Sequence, residues 1–97
     1  VVACDPDRDG WPDLIVANDT VRNFFFHNVP DGQGGRRFEE VGLTANVAYA
    51  DGRPRGGMGI DACELLPGRL GVVVATFTNE PNTLLSLTRQ APLLFHD

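Results

Sequence analysis

Apolar residues in this chain come in short bursts separated by glycine, proline, asparagine and aspartate. Runs such as Leu14-Ile15-Val16-Ala17, Phe24-Phe25-Phe26, Val72-Val73-Val74 and Leu93-Leu94-Phe95 are rich in β-branched and aromatic residues and have the length of strands. The pattern predicts strands at 1–4, 14–18, 23–27 and 37–41, and again at 58–64, 71–77, 83–87 and 93–96. Turn formers lie between them: Asp9-Gly10, Pro30-Asp31-Gly32, Gly34-Gly35, Pro67-Gly68 and Glu80-Pro81. The stretch 41–51 is less strand-like, and its Gly42-Leu43-Thr44-Ala45 suits a single helical turn before the chain crosses to the next group of strands.

The two groups of four strands echo each other. Ala3-Cys4-Asp5 returns after 59 residues as Ala62-Cys63-Glu64, and Leu14-Ile15-Val16-Ala17 returns after 58 as Val72-Val73-Val74-Ala75. Arg22-Asn23-Phe24-Phe25-Phe26 then parallels Pro81-Asn82-Thr83-Leu84-Leu85. Four short strands per repeat is the pattern of a propeller blade. The expected fold is therefore all-β: about two four-stranded blades of a β-propeller, one over residues 1–50 and one over 51–97. Propellers close with about four to eight blades, so two would leave edges and faces bare. The chain also starts at Val1 without an initiator methionine and stops at Asp97 just after an apolar run, and it reads as a piece of a longer protein.

Composition agrees with a packed, turn-rich domain: 42% of residues are hydrophobic, with eleven glycines and seven prolines. No apolar stretch is long enough to predict membrane insertion. The net charge is −5, every positive charge is an arginine, and the arginines are scattered, so a nucleic-acid partner is not expected. The acids are not scattered. Asp5, Asp7, Asp9 and Asp13 fall within nine residues.

That segment, Asp5-Pro6-Asp7-Arg8-Asp9-Gly10-Trp11-Pro12-Asp13, is the main chemical signal. Alternation in a tight loop turns Asp5, Asp7 and Asp9 inward, Gly10 permits a positive-φ turn, and Asp13 closes from the far side. The Trp11 backbone carbonyl adds a further oxygen. Four crowded carboxylates need a cation or a proton. Calcium, with about six to eight oxygen ligands in flexible geometry, suits them better than magnesium or zinc. An EF-hand would need a glutamate where Val16 stands and helices where strands are predicted. The bland alternative is a solvated acidic turn without a metal. The corresponding loop of the second unit, residues 64–71, has one carboxylate, Glu64, and an arginine, Arg69, and reads as a plain hairpin without a metal.

The acidic loop followed by Asp13-Leu14-Ile15-Val16-Ala17-Asn18 resembles the FG-GAP or VCBS repeat of integrin-α-like propellers. Phe38-Glu39-Glu40-Val41-Gly42-Leu43, Gly57-Met58-Gly59-Ile60-Asp61 and Asn79-Glu80-Pro81-Asn82-Thr83-Leu84 resemble the ASPIC-type bacterial relatives of cartilage acidic protein. The resemblance implies a secreted, periplasmic or cell-surface propeller of seven blades. It implies calcium held by Asp5, Asp7, Asp9 and Asp13 with the Trp11 carbonyl, and a role in binding or adhesion without enzymatic activity. The partners it implies are the remaining blades and a protein or glycan ligand that the sequence does not name. A rival reading is part of a propeller-type polysaccharide lyase whose catalytic residues lie elsewhere.

Other residues receive structural readings. Cys4 and Cys63 occupy equivalent positions, too far apart for a disulfide, and are expected to be free and buried. His27 and His96 lack partners at ligand or triad spacing and are expected at strand ends on the surface. Phe24-Phe25-Phe26 is expected to pack between sheets, and Arg53-Pro54-Arg55-Gly56-Gly57 to form a solvated loop.

Overall fold

The computed structural model describes residues 1–49, 56–66, 69–76, 82–90 and 92–96. Within them the chain forms two four-stranded antiparallel sheets and no helix. The first sheet runs in sequence order through β1 (Val2–Cys4), β2 (Asp13–Val16), β3 (Phe24–Pro30) and β4 (Arg36–Glu40). The second runs through β5 (Gly57–Leu66), β6 (Arg69–Thr76), β7 (Thr83–Gln90) and β8 (Leu93–His96). All eight predicted strands are present. Several run further than the apolar bursts, because ladder pairing continues through polar residues. β3 extends to Pro30, where the pair Pro30↔Arg36 borders a turn held by the Asp31 carboxylate. That carboxylate accepts the Gln33 and Gly35 amides at 2.7 and 3.0 Å. The turn residues Pro67, Gly68, Glu80 and Pro81, the strand end at Phe77 and the arginines at 53 and 55 lie outside the described residues.

The single turn expected after β4 is there. The Ala45 amide donates to the Val41 carbonyl at 2.9 Å, and Asn46 ends the turn in the left-handed region at φ 63°. It is tied to the second sheet by two bonds: Phe95 N–H to the Ala45 carbonyl at 2.9 Å, and the Asn46 amide nitrogen to the Phe95 carbonyl at 3.1 Å. Ala45 and Val47 are thereby buried in the same core as Ile15 and Phe25 of the first sheet and Val72, Leu85, Leu87, Leu93 and Phe95 of the second. Phe25 and Phe95 meet edge-on, centroids 5.9 Å apart.

The two ladders share one register. Leu14↔Phe26, Ile15↔Phe25 and Val16↔Phe24 in the first sheet correspond to Val72↔Leu85, Val73↔Leu84 and Val74↔Thr83 in the second. Yet corresponding residues differ in burial. Ile15 and Phe25 are fully buried, whereas Val73 and Leu84 are 39% and 45% exposed. Leu14 and Phe26 are half-buried, whereas Val72 and Leu85 are fully buried. The cause is the packing: one face of the first sheet meets the opposite face of the second. The same geometry corrects the cysteines. Both are free, but only Cys4 is partly buried, against the core; Cys63, on the far face of β5, is exposed.

Candidate metal centre

The acidic loop connects β1 to β2. It leaves the ladder at the pair Cys4↔Asp13 and is shaped by its own side chains. Asp5 accepts the Asp9 amide at 3.2 Å on one carboxylate oxygen and the Gly10 amide at 2.9 Å on the other. Asp9 accepts the Trp11 amide at 2.9 Å. The path needs left-handed backbone at Arg8 (φ 56°) and Gly10 (φ 86°). A Cβ at Gly10 would meet nothing within 4 Å, so glycine is there for its φ and not for room.

The loop brings the predicted acids together. One carboxylate oxygen each from Asp5, Asp7 and Asp13 lie within 4.8 Å of one another. Asp9 joins an overlapping group with Asp7 and His27 at the same spacing. Asp13 is fully buried. Its Oδ1 accepts the Asn28 amide at 2.8 Å, while its Oδ2 is buried without a hydrogen-bond partner among the described residues. Asp7 is similar: Oδ2 lies 2.9 Å from His27 Nε2, and Oδ1 is buried and unpartnered. Two buried carboxylate oxygens with nothing to accept from are costly unless a cation or a proton completes them.

The electrostatics follow. Burial pushes the Asp13 carboxyl up to about 6; the Asn28 amide and His27 oppose that rise, and Asp7 and Asp9 add to it. Asp5 is raised by burial and by Asp7 and Asp9, against the pull of its two backbone donors. Asp9 moves down, chiefly through its bond from the Trp11 amide. Cys4, across the ladder from Asp13, is pushed up to about 11 by burial and by the Asp13 and Asp5 charges.

His27 is the residue that sequence spacing missed. It was expected to be isolated at a strand end; it is half-buried on β3 and in contact with Asp7. The β2–β3 register carries the signal, since pairing Ile15 with Phe25 brings His27 across from Asp13. Arg36 is a second residue of this kind. Its guanidinium donates to the Asn28 side-chain and backbone oxygens at 3.0 and 3.1 Å. It also stacks 4.4 Å from the Trp11 ring and reaches Asp9 Oδ2 at 3.7 Å. The Asn28 side-chain Nδ2 in turn donates to the Pro12 carbonyl at 3.1 Å. β3 and β4 thus support the loop from behind, and the Trp11 ring, 47% exposed, lies at its rim.

Among the described residues the second unit shows no comparable loop. β5 and β6 stay paired through Cys63↔Gly71 and Glu64↔Leu70 to Leu66↔Arg69, so the described residues of this hairpin leave no open segment in which acids can converge. Comparison of the chain with protein-family models, with curated proteins and with solved structures finds no match.

Proposed function

We propose that this chain is a pair of consecutive blades of a calcium-stabilised β-propeller of the FG-GAP/VCBS kind, serving extracellular binding or adhesion and not catalysis. The observation that carries the metal reading is Asp13: a fully buried carboxylate with one oxygen unpartnered, raised to about 6, facing Asp5 and Asp7. Hard oxygen donors in a short loop with two positive-φ residues suit calcium, held by Asp5, Asp7, Asp9 and Asp13 with the Trp11 carbonyl. When bound, the ion neutralises the clustered acids and pins the β1–β2 hairpin, a structural role.

The propeller reading is supported by the way the sheets pack. Face-to-back contact between units of identical register is heterologous, the kind of contact that builds a ring when its rotation closes. Val73 and Leu84 on one side, and Leu14 and Phe26 on the other, are the surfaces that neighbouring blades would cover.

Terbium luminescence tests the metal site. Trp11 is the only tryptophan and sits in the loop, so a bound lanthanide is sensitised through it. Saturable emission that calcium displaces, and that Asp7→Ala/Asp9→Ala abolishes, is the expected outcome. Absent emission from a chain with a β-type circular dichroism spectrum refutes the site. Displacement by zinc but not by calcium reassigns it to a transition metal held with His27.

A further inference from the structure

Beside the acidic loop lies a hollow of about 430 Å³, lined by Arg8, Arg69, Leu87, Thr88, Arg89 and Gln90. Its size is that of small-ligand sites. Its walls are polar apart from Leu87, and three of its residues are arginines brought from three separate segments: the loop, the start of β6 and the end of β7. The whole chain has eight positive charges against thirteen negative ones, so gathering three of the eight is not what its composition dictates.

Among the described residues only one of the three arginines has an ion-pair partner. Arg8 faces Glu64 at 3.5 Å in a solvent-exposed pair, worth little. Among the described residues Arg69 and Arg89 have no ion-pair partner. The neutral groups of the wall are already engaged. Thr88 donates to the Leu94 carbonyl at 3.0 Å, and the Gln90 amide nitrogen donates to the Pro6 carbonyl at 3.2 Å. The guanidinium groups are the donors left to a ligand, and their planar forks match the oxygens of phosphate, sulfate and carboxylate. Arg8 is also held at φ 56°, a left-handed conformation disfavoured for a non-glycine residue. That backbone, closed by the Arg8 N–H bond to the Asp5 carbonyl at 3.2 Å, sets the direction in which Arg8 leaves the loop.

We infer that Arg8, Arg69 and Arg89 form a binding site for a small oxyanionic ligand, one carrying clustered phosphate, sulfate or carboxylate groups. The site borders the acidic loop, to which Arg8 belongs, but it needs no metal and is tested without one. Pyrophosphate, sucrose octasulfate and citrate are titrated separately by calorimetry, at constant ionic strength in metal-free buffer. The proteins are the 97-residue chain, Arg69→Gln/Arg89→Gln, Arg89→Gln alone, and Arg37→Gln as a control on β4. The expected result is saturable one-to-one binding of at least one anion. The double variant weakens it about tenfold or more, Arg89→Gln alone weakens it several-fold, and Arg37→Gln leaves it unchanged. The tightest of the three names the ligand's anionic group. The site is overturned by the absence of saturable binding for all three anions, by binding that the double variant retains, or by an equal loss in Arg37→Gln.

Discussion

Asp13→Asn separates a metal site from a buried acid with a purely structural role, because the two readings predict opposite signs. The asparagine keeps an oxygen for the Asn28 amide, which Asp13 accepts at 2.8 Å. It removes a charge buried beside Asp5 and Asp7. In the metal-free chain, raising the carboxyl from 3.8 to about 6 costs about 3 kcal/mol of stability at pH 7, at 1.36 kcal/mol per unit. The new amide group at the Oδ2 position finds no acceptor it was built for, and leaving it unsatisfied costs about 1–2 kcal/mol. The balance is a metal-free variant more stable than wild type by about 1–2 kcal/mol, or roughly 5–10 °C in Tm for a domain of this size. Calcium reverses the order. At about 100 times its Kd it stabilises the wild type by about 2.7 kcal/mol, and the variant gains little. Thermal unfolding followed by circular dichroism at pH 7, in metal-free buffer and in calcium, measures both arms. A variant less stable than wild type without metal refutes the account of Asp13 as a strained, unpaired charge. Equal stabilisation of both proteins by calcium refutes Asp13 as a ligand.

Three other outcomes are expected. Because the folded Asp13 carboxyl titrates at about 6, above its ordinary 3.8, its contribution to stability is complete below about pH 4 and lost as pH rises through 6, with Asp5 acting in the same direction. Urea midpoints of the metal-free chain across this window should carry that slope, and those of Asp13→Asn should lose most of it. Glu40→Ala should destabilise the chain by about 2–3 kcal/mol with or without calcium. It strips the acceptor from the Phe25 and Gly42 amides, at 3.0 and 2.7 Å, and breaks the 2.7 Å pair with Arg22; denaturant unfolding in both buffers reads the change. His27→Ala should weaken terbium binding about tenfold, since a side chain that orients a ligand carboxylate typically contributes that much or more; an unchanged affinity would make the Asp7 contact incidental.

The strands were legible because their apolar bursts are short, β-branched and bounded by turn formers. Matching bursts 58–59 residues apart anticipated the common ladder register. Burial was harder to read. Cys4 and Cys63 match in sequence and in register, but the face that covers one is turned to solvent for the other. Sequence equivalence gives the direction of a side chain within its own sheet, and only the packing of the sheets decides what it meets. The same limit applies at the loop. Asp5, Asp7, Asp9 and Asp13 were legible because local spacing governs a tight turn. His27 and Arg36 lie on other strands and reach the loop only through the β2–β3–β4 ladder, so one-dimensional spacing carried no sign of them.

Under the proposed metal reading, the two inner hairpins differ in what an ion would add to them. β5 and β6 are joined by eight residue pairs and remain paired down to Leu66↔Arg69. β1 meets β2 at only three pairs before the chain opens into the loop, and β1 is an edge strand. A three-residue edge with so few ladder bonds opens at a small fraction of the global unfolding free energy. An ion that gathers Asp5 and Asp7, just after β1, with Asp13, the first residue of β2, closes the hairpin from its open end. Metal should therefore stabilise locally first. Amide hydrogen exchange of the chain, with and without calcium, should show protection rising in β1, β2 and the loop and little changed in β5–β8. Uniform protection across both sheets would mean that the ion acts only through global stability. Added protection confined to the second sheet would place the ion elsewhere.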